Sequence, residues 1–255
     1  MIRVVFNQKG GVGKSSIAVN LAAISAQQGQ RTLVVDLDPQ CNSTHYLLGD
    51  ESNTPDSDVR GFFEQALTFQ LKPAAADSFV HATPFENLFL IPSNPDLGDL
   101  QSKLESKHKI YKLRDALTEL RQQFDAIYID TPPAFNFFSL SALAGADRCL
   151  IPFDCDDFAR QALYSLLNNV HETRADHNDR LEVEGIVVNQ FQPRASLPLR
   201  IVNELEAEEL PVLKSRISSS VKMKESHTAA VPLIWLAPNH KLTQEFVALY
   251  HELQG

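Results

Sequence analysis

The stretch VVFNQKGGVGKSS, residues 4–16, places three glycines, two lysines and two serines in an order that could bind phosphate. Phosphate-binding loops of the G-x-x-x-x-G-K-[ST] type lie between a strand and a helix. Gly13, Lys14 and Ser15 form the end of that pattern, but a glutamine replaces the opening glycine and Lys9 follows it. Because an apolar run precedes the turn and a helical pattern follows it, a phosphate loop is favoured over an incidental glycine-rich turn.

The residue types of this loop indicate what each could do. Glycines let successive backbone N–H groups converge on phosphate oxygens without interference from Cβ atoms, and the helix N-terminus adds its positive end. Lys14 would reach the β- and γ-phosphates, and the Ser15 hydroxyl would hold Mg²⁺. The predicted nucleotide-binding residues of the loop are Gly10, Gly11, Val12, Gly13, Lys14, Ser15 and Ser16.

Aspartates follow two apolar runs. In TLVVDLDPQ the run ends at Asp36, with Asp38 two residues later, and in DAIYIDTPP another run ends at Asp130. Open parallel sheets bind ligands at the carboxyl ends of their strands, where a carboxylate can hold Mg²⁺ through water. Turn capping is the alternative, and it is strongest for Asp38 because Asp-Pro commonly starts a turn. We predict a metal site formed by Ser15, Asp36 and Asp130.

Short apolar runs alternate with amphipathic segments along the chain. The predicted strands are 2–6, 32–36, 88–91, 126–130, 148–152 and 184–189, and the predicted helices are 15–28, 97–123, 158–173 and 197–209. Nearly continuous apolar strands are typical of parallel strands buried on both faces. The pattern predicts an α/β fold, a doubly wound and mostly parallel sheet flanked by helices. We interpret the polar stretch 49–58 as a loop and predict one domain over residues 1–255.

Composition excludes several classes of protein. The chain has 255 residues, of which 44% are apolar, and a net charge of −9. No stretch approaches the roughly 18 uncharged apolar residues of a membrane span. Its three cysteines are too few and scattered for a disulfide framework or a C-x-x-C metal site, so we expect a reducing cytoplasm. The acidic balance argues against a wholly basic nucleic-acid-binding protein but allows a local basic patch.

KGGVGKSS, VVDLDPQCNST and YIDTPP closely resemble motifs of the ParA/Soj/MinD family of ATPases, whose phosphate loop deviates from the general pattern. The resemblance is strongest to the ParA/Soj branch, which LIPSNPDL and ALAGADRCLIPFDCDDFARQAL also resemble. It implies a deviant P-loop NTPase that uses ATP and Mg²⁺. It also implies that Lys9 is the signature lysine, which crosses a dimer interface to contact the partner's ATP. The altered loop would then have a second function, with a cation supplied in trans as an arginine finger is.

Further roles follow from the same resemblance. Asp38 matches a carboxylate of the first switch that orients or activates the attacking water, so Lys9, Lys14 and Asp38 are the predicted catalytic residues. Asn189, in GIVVNQF, matches an asparagine that reads the adenine ring, although a buried turn asparagine is an equal alternative. Cys41 stands where the branch usually has glycine, a departure that removes no chemical group.

The ParA/Soj branch implies partners as well as chemistry. They are a homodimer in the ATP state, non-specific double-stranded DNA, and a ParB-like or other adaptor that stimulates slow hydrolysis. The implied location is cytoplasmic and nucleoid-associated, and the cargo stays open among plasmid, chromosome and protein assembly. A solvated basic turn that balances the acidic stretch 203–210 is the alternative to a DNA-binding patch. The predicted DNA-binding residues are Arg194, Arg200, Lys214, Arg216, Lys222 and Lys224.

Three other functions remain open. A MinD-like ATPase would carry a C-terminal amphipathic membrane helix, but Glu245 and Glu252 beside the apolar face favour core packing and no membrane partner. The apolar face of that segment contains Leu242, Phe246, Leu249, Tyr250 and Leu253. An ATP-dependent small-molecule synthetase and a nucleotide-binding scaffold without turnover are the remaining alternatives.

Overall fold

The computed structural model describes residues 1–49, 55–155, 159–192 and 195–255. Its strands are β1 (Ile2–Val5), β2 (Thr32–Asp36), β3 (His81–Ala82), β4 (Leu88–Ile91), β5 (Ala126–Asp130), β6 (Arg148–Asp154), β7 (Glu182–Phe191) and β8 (Val212–Ser218). Within the described ranges they form one sheet in the order β3-β4-β2-β5-β1-β6-β7-β8. Neighbouring strands run parallel except β3 and β4. All six predicted strands are present, and the predicted mostly parallel sheet is confirmed.

Helices pack on both faces of the sheet, as the predicted doubly wound α/β fold requires. They are α1 (Lys14–Gln27), α2 (Asn42–Leu48), α3 (Val59–Gln65), α4 (Gln101–Ser106), α5 (Lys112–Leu120), α6 (Phe137–Gly145), α7 (Ala159–Asp176), α8 (Ser196–Ala207), α9 (Val221–Thr228), α10 (Leu233–Leu236) and α11 (Lys241–Glu252). Successive strand residues point to opposite faces, so Val4 and Val5 of β1 belong to different cores. One core packs the sheet against α3 to α8, and the other packs it against α1, α2, α10 and α11.

The register aligns the carboxyl ends of three central strands. Asp36, the last residue of β2, pairs with Asp130, the last residue of β5. Asp130 pairs in turn with Val5, the last residue of β1. The loop that follows β1 therefore starts beside both carboxylates.

The predicted helix over 97–123 is wrong in its extent. A 3₁₀ turn (Pro95–Leu100) leads into α4, and the chain then changes direction before α5 begins at Lys112. His108 adopts a left-handed conformation, with φ of 51°, which a continuous helix cannot contain. Leu104 and Leu113 therefore lie on two separate helices that contribute to the same core.

The sequence pattern also fails to predict α2, α3, α6, β8 and α9. In β8 the partly buried Leu213 and the buried Ile217 alternate with Lys214 and Arg216, the pattern of a strand at the edge of a sheet. The polar loop predicted over 49–58 and the helix predicted from residue 158 lie partly outside the described residues.

The helix α11 confirms the prediction of core packing. Leu242, Phe246, Leu249 and Tyr250 are buried against α1 and β8, and so this face is not available to lipid. Its two carboxylates also contact the edge strand. Glu252 accepts hydrogen bonds from the backbone N–H groups of Lys214 and Ser215, and Glu245 accepts one from that of Ser218. Among the described helices, none has the length and apolar character needed to cross a bilayer.

Phe246→Ala should therefore destabilise the protein. Phe246 is 1% exposed, and truncating a buried phenylalanine costs about 3–5 kcal/mol of unfolding free energy. Urea denaturation measures the loss. His251→Ala, on the exposed face of the same helix, is the matched control and should change stability by less than about 0.5 kcal/mol. Equal effects of the two substitutions would show that α11 does not stabilise the core.

Candidate functional site

The segment between β1 and α1 adopts the backbone conformation of a phosphate-binding loop. Gly11 and Gly13 have φ values of 77° and 89°, in the left-handed region that favours glycine. Gly13 is constrained twice, because a Cβ atom there would lie 2.2 Å from the Asn189 amide nitrogen. Both positions thus require glycine for reasons of local geometry.

Two side chains near the carboxyl end of β7 hold this loop. Asn189 Nδ2 donates to the Val12 carbonyl at 2.8 Å, and Gln190 Nε2 donates to that of Gly11 at 3.0 Å. Asn189 therefore contacts the loop through its amide nitrogen. Its amide oxygen is the group suited to accept a hydrogen bond from an adenine amino group.

Asn7 and Gln190 also hold the loop, a role that the sequence pattern did not predict. Asn7 Nδ2 donates to the Pro152 carbonyl at the end of β6, at 2.6 Å, and its Oδ1 accepts from the backbone of Lys9 at 2.9 Å. A polar side chain directly after an apolar strand was the available signal for Asn7. The Lys9 side chain is exposed at the rim of the loop.

Lys14 lies inside the loop and is only 6% exposed. Its Nζ donates to the Lys9 carbonyl at 2.9 Å. Burial lowers the pKa of Lys14, while the nearby carboxylates of Asp130 and Asp38 act to raise it. The ammonium group therefore points to the place where phosphate binds in loops of this type.

Asp36 is fully buried and its two oxygens accept three hydrogen bonds. They come from the backbone of Asp38 at 3.0 Å, the backbone of Thr44 at 2.9 Å and the Thr44 hydroxyl at 2.8 Å. Burial, and then the charge of Asp130, raises the pKa of Asp36 well above its ordinary value. The carboxylate thus holds the start of α2, which the motif DPQCNST contains.

Asp130 is also fully buried, but one of its oxygens lacks a partner. The Ser43 hydroxyl donates to Oδ2 at 2.7 Å, whereas Oδ1 is buried without a hydrogen bond to any described residue. Burial raises the pKa of Asp130 to about 6, against the opposing effect of the Ser15 and Ser43 hydroxyls. A buried, unpartnered carboxylate oxygen beside a hydroxyl suits a cation or the water bound to it.

The donor set fits Mg²⁺ rather than a metal held by protein alone. In the described part of the chain, no group of three or more His, Cys, Asp and Glu side chains could hold a metal. Mg²⁺ commonly keeps several waters and takes the rest of its ligands from one or two protein groups and substrate phosphates. Ser15 and Asp130 are suited to this role, while the Asp36 oxygens already accept hydrogen bonds from Asp38 and Thr44.

Asp38 lies at the start of the segment that leads into α2. It is 5% exposed, its Oδ1 accepts from the backbone of Gln40 at 3.0 Å, and burial raises its pKa. Cys41 precedes α2 with φ of 55°, a conformation that glycine adopts without strain. Burial raises the pKa of the Cys41 thiol to about 12.

The predicted loop residues and Asp38 share one cavity of about 380 Å³. It is lined by Gly10, Gly11, Gly13, Lys14, Ser15, Ser16, Asp38, Gln40, Asn42, Pro133 and His227. His227 was not predicted, and its Nε2 lies 3.0 Å from the Ser16 hydroxyl oxygen. A second cavity of about 170 Å³ beside the first is lined by Asn189 and by residues of β8 and α9. The two cavities share Gly11, Gly13 and Ser16 as lining residues.

The predicted basic residues lie on three elements, and Arg194 is outside the described residues. On α8, Arg200 lies 3.8 Å from a carboxylate oxygen of the next helical turn. Arg216 of β8 contacts Glu206 at 3.4 Å and stacks over the Phe191 ring. Lys222 of α9 forms an ion pair with the glutamate three residues later. Considering only the described residues, Lys214 and Lys224 form no ion pair.

Comparisons with known proteins agree with this geometry. A family model described as an AAA domain matches residues 1–183. The chromosome partitioning protein ParA of Myxococcus xanthus is 33% identical over 98% of this chain and 86% of its own length. Apo McdA of Cyanothece has the same fold, with a TM-score of 0.85, 24% identity and coverage of 100% of this chain and 99% of its own.

A further solved structure adds ligands to the comparison. Cobyrinic acid a,c-diamide synthase of Mycobacterium smegmatis, with a bound ATP analogue and magnesium, is 26% identical with a TM-score of 0.79. The match covers 100% of this chain and 96% of that one.

Asp130→Asn should stabilise the protein in a pH-dependent way when measured in chelator. The folded-state pKa of about 6 lies above the ordinary value of 3.8, so this group makes folding less favourable as pH rises between those values. Removing the charge should then raise the unfolding free energy by about 1–3 kcal/mol at about pH 7.5. The gain should vanish at about pH 4, where the carboxyl group is largely protonated in both states. Urea denaturation at both pH values measures it.

Asp99→Asn is the matched control, because Asp99 is exposed and its substitution also removes one negative charge. It should give no comparable gain at either pH. A loss of stability by Asp130→Asn at neutral pH would contradict the argument from burial.

Proposed function

The chain belongs to the ParA/Soj family of partitioning ATPases, and from this premise we propose that it hydrolyses ATP with Mg²⁺ and positions a cargo along DNA as an ATP-bound dimer. The observation that carries the proposal is the cavity in which buried Lys14 and Asp38 meet half-buried Ser15 beneath a glycine loop. The proposal treats residues 1–255 as one ATPase domain.

Binding of the phosphates follows from the loop. Backbone N–H groups at Gly11 to Ser15 would donate hydrogen bonds to the phosphate oxygens, and Lys14 Nζ would donate to a charged phosphate oxygen instead of the Lys9 carbonyl. Ser15 and Asp130 would hold Mg²⁺, which neutralises charge on the transferred phosphoryl group.

Hydrolysis requires a positioned water and a cation near the γ-phosphate. Asp38, in the first switch, has a carboxylate at the cavity wall and is the group suited to orient water. Lys9 lies on the exposed rim, where it can reach the nucleotide of a second protomer. A site completed only in the dimer would turn over slowly until an adaptor of ParB-like or other type stabilises it.

The synthetase is the alternative with a specific observation in its favour, the likeness to an ATP-using cobyrinic acid synthase. A synthetase would need a small-molecule acceptor for its reaction with ATP. A partitioning ATPase transfers the phosphoryl group of ATP to water and releases inorganic phosphate. Release of phosphate without any acceptor separates these two functions. It also separates the ATPase from a nucleotide-binding scaffold without turnover.

The loop lysines should have separable roles. Lys14→Ala should weaken ATP binding about 10- to 100-fold, because a charge-assisted contact to phosphate is lost. Lys9→Ala should still bind ATP but should neither dimerise nor reach the wild-type rate of phosphate release. Nucleotide binding, light scattering with ATP and Mg²⁺, and phosphate release measure the three effects. Lys103→Ala, an exposed lysine on α4, is the control.

A Lys9→Ala protein that dimerises with ATP as the wild type does would contradict the proposed trans contact. Loss of ATP binding in this variant would instead show that Lys9 belongs to its own protomer's site.

DNA binding by the ATP dimer is proposed to use Lys214 and Lys222, with Arg200 at the edge of the patch. Two protomers double the phosphate contacts of a patch that is weak alone. The double substitution Lys214→Gln with Lys222→Gln should weaken binding and reduce the slope of log K against log salt by about 1 for each contact removed. DNA binding at several salt concentrations with ATP measures both.

The control pair is Lys72→Gln with Lys103→Gln, which changes net charge equally at exposed positions away from β8 and α9. Equal DNA affinity of the two double variants would exclude this patch and leave general charge as the cause of any binding.

A further inference from the structure

The helix α9 presents two polar side chains to the two cavities of the site. His227 lines the cavity of about 380 Å³ with Lys14 and Ser15, and its Nε2 lies 3.0 Å from Ser16 Oγ. Lys224 lines the adjoining cavity of about 170 Å³ with Gly11 and Gly13. Residues three apart on a helix share a face, so both side chains belong to the same side of α9.

We propose that α9 binds the nucleotide directly, with His227 and Lys224 contacting phosphate oxygens near the first turn of α1. The inference rests on the proposed binding of a nucleotide at the phosphate loop. An ammonium group and an imidazole N–H are both donors to phosphate. Ser16 lies in the first turn of α1, where a phosphate accepts backbone hydrogen bonds, so a donor within 3.0 Å of its hydroxyl is well placed.

The protonation state of His227 is compatible with this role. His227 is exposed at the cavity mouth, where partial desolvation of its ring lowers its pKa, so the neutral ring with a single N–H predominates at neutral pH. With that proton on Nε2, the ring donates either to Ser16 Oγ or to a phosphate oxygen beside it.

Helix α9 also contacts α2, the helix that follows Asp38 in the chain. The His227 ring lies 4.2 Å from the Tyr46 ring of α2, and the Tyr46 hydroxyl is 2.5 Å from Ser226 Oγ. Asn20 of α1 donates to the same hydroxyl at 3.1 Å. The helix therefore touches α1 and α2 at one end while it carries Lys222, a proposed DNA contact, at the other. A nucleotide that holds His227 and Lys224 would fix the orientation of that lysine.

Hydrogen–deuterium exchange with ADP and Mg²⁺ tests the inference without DNA or dimerisation, since the proposed dimer needs ATP. In the wild type, ADP should slow exchange in residues 10–16 and also in residues 221–228. In His227→Ala, protection of 10–16 should remain and protection of 221–228 should fall by at least half. The affinity for ADP should fall about 3- to 10-fold, the effect of one lost hydrogen bond.

Three further variants make the test specific. His227→Gln keeps an N–H donor of similar reach and should restore most of the α9 protection. Lys224→Gln, at an exposed position, should weaken ADP binding even if His227→Ala fails to fold. Thr228→Ala, on the same helix and lining neither cavity, should match the wild type.

The outcomes separate this inference from the proposed function. Absence of ADP protection in residues 10–16 of the wild type would contradict nucleotide binding itself. Protection of 10–16 with no change in 221–228 would overturn the α9 inference alone. Wild-type ADP affinity in both His227→Ala and Lys224→Gln would overturn it equally.

Discussion

Much of the site depends on two carboxylates that are buried side by side. Asp36 and Asp130 end neighbouring parallel strands in register, and neither is exposed to water. Two like charges in a medium of low dielectric constant repel strongly, so hydrogen-bond donors must lie beside them. The first turn of α2 supplies these donors through Ser43 and Thr44. The position of α2 is therefore a consequence of charge burial at the carboxyl ends of β2 and β5.

Lys14 is a third buried charge in the site, and its partners within the protein are also incomplete. It is a buried ammonium whose Nζ donates to a neutral carbonyl, close to Asp38 and Asp130. One Asp130 oxygen meanwhile has no hydrogen-bond partner among the described residues. The protein alone matches these charges incompletely, and a phosphate with a divalent cation carries the complementary charges. These incompletely matched charges lower the stability of the protein alone and favour binding of a ligand, a combination that is common at functional sites.

The sequence predicts those parts of the site that depend on local pattern. Apolar runs ending in aspartate predict β2 and β5, and the glycine spacing predicts the loop before Lys14. The contact of Ser16 with His227 joins residues 211 positions apart, and no periodicity reports such a pair. The break at His108 was missed because the apolar residues on either side of it continue one helical pattern. Helical spacing is consistent with the pairing of Arg200 and Lys222 with glutamates four and three residues later, whereas it gives no signal for the contact between Arg216 and Glu206.

These ion pairs change how the predicted DNA-binding patch should be understood. Arg200, Arg216 and Lys222 each lie beside a glutamate, so the patch is less positive than its lysines and arginines suggest. Contacts to DNA phosphates on one protomer would then have to replace these ion pairs, and a monomer would gain little binding free energy from DNA. A dimer doubles the contacts and adds avidity, whereas the cost of breaking each pair is unchanged within its protomer. In the proposed function, a dependence of DNA binding on dimerisation would thus follow from partial neutralisation, and a more strongly basic surface would not show it.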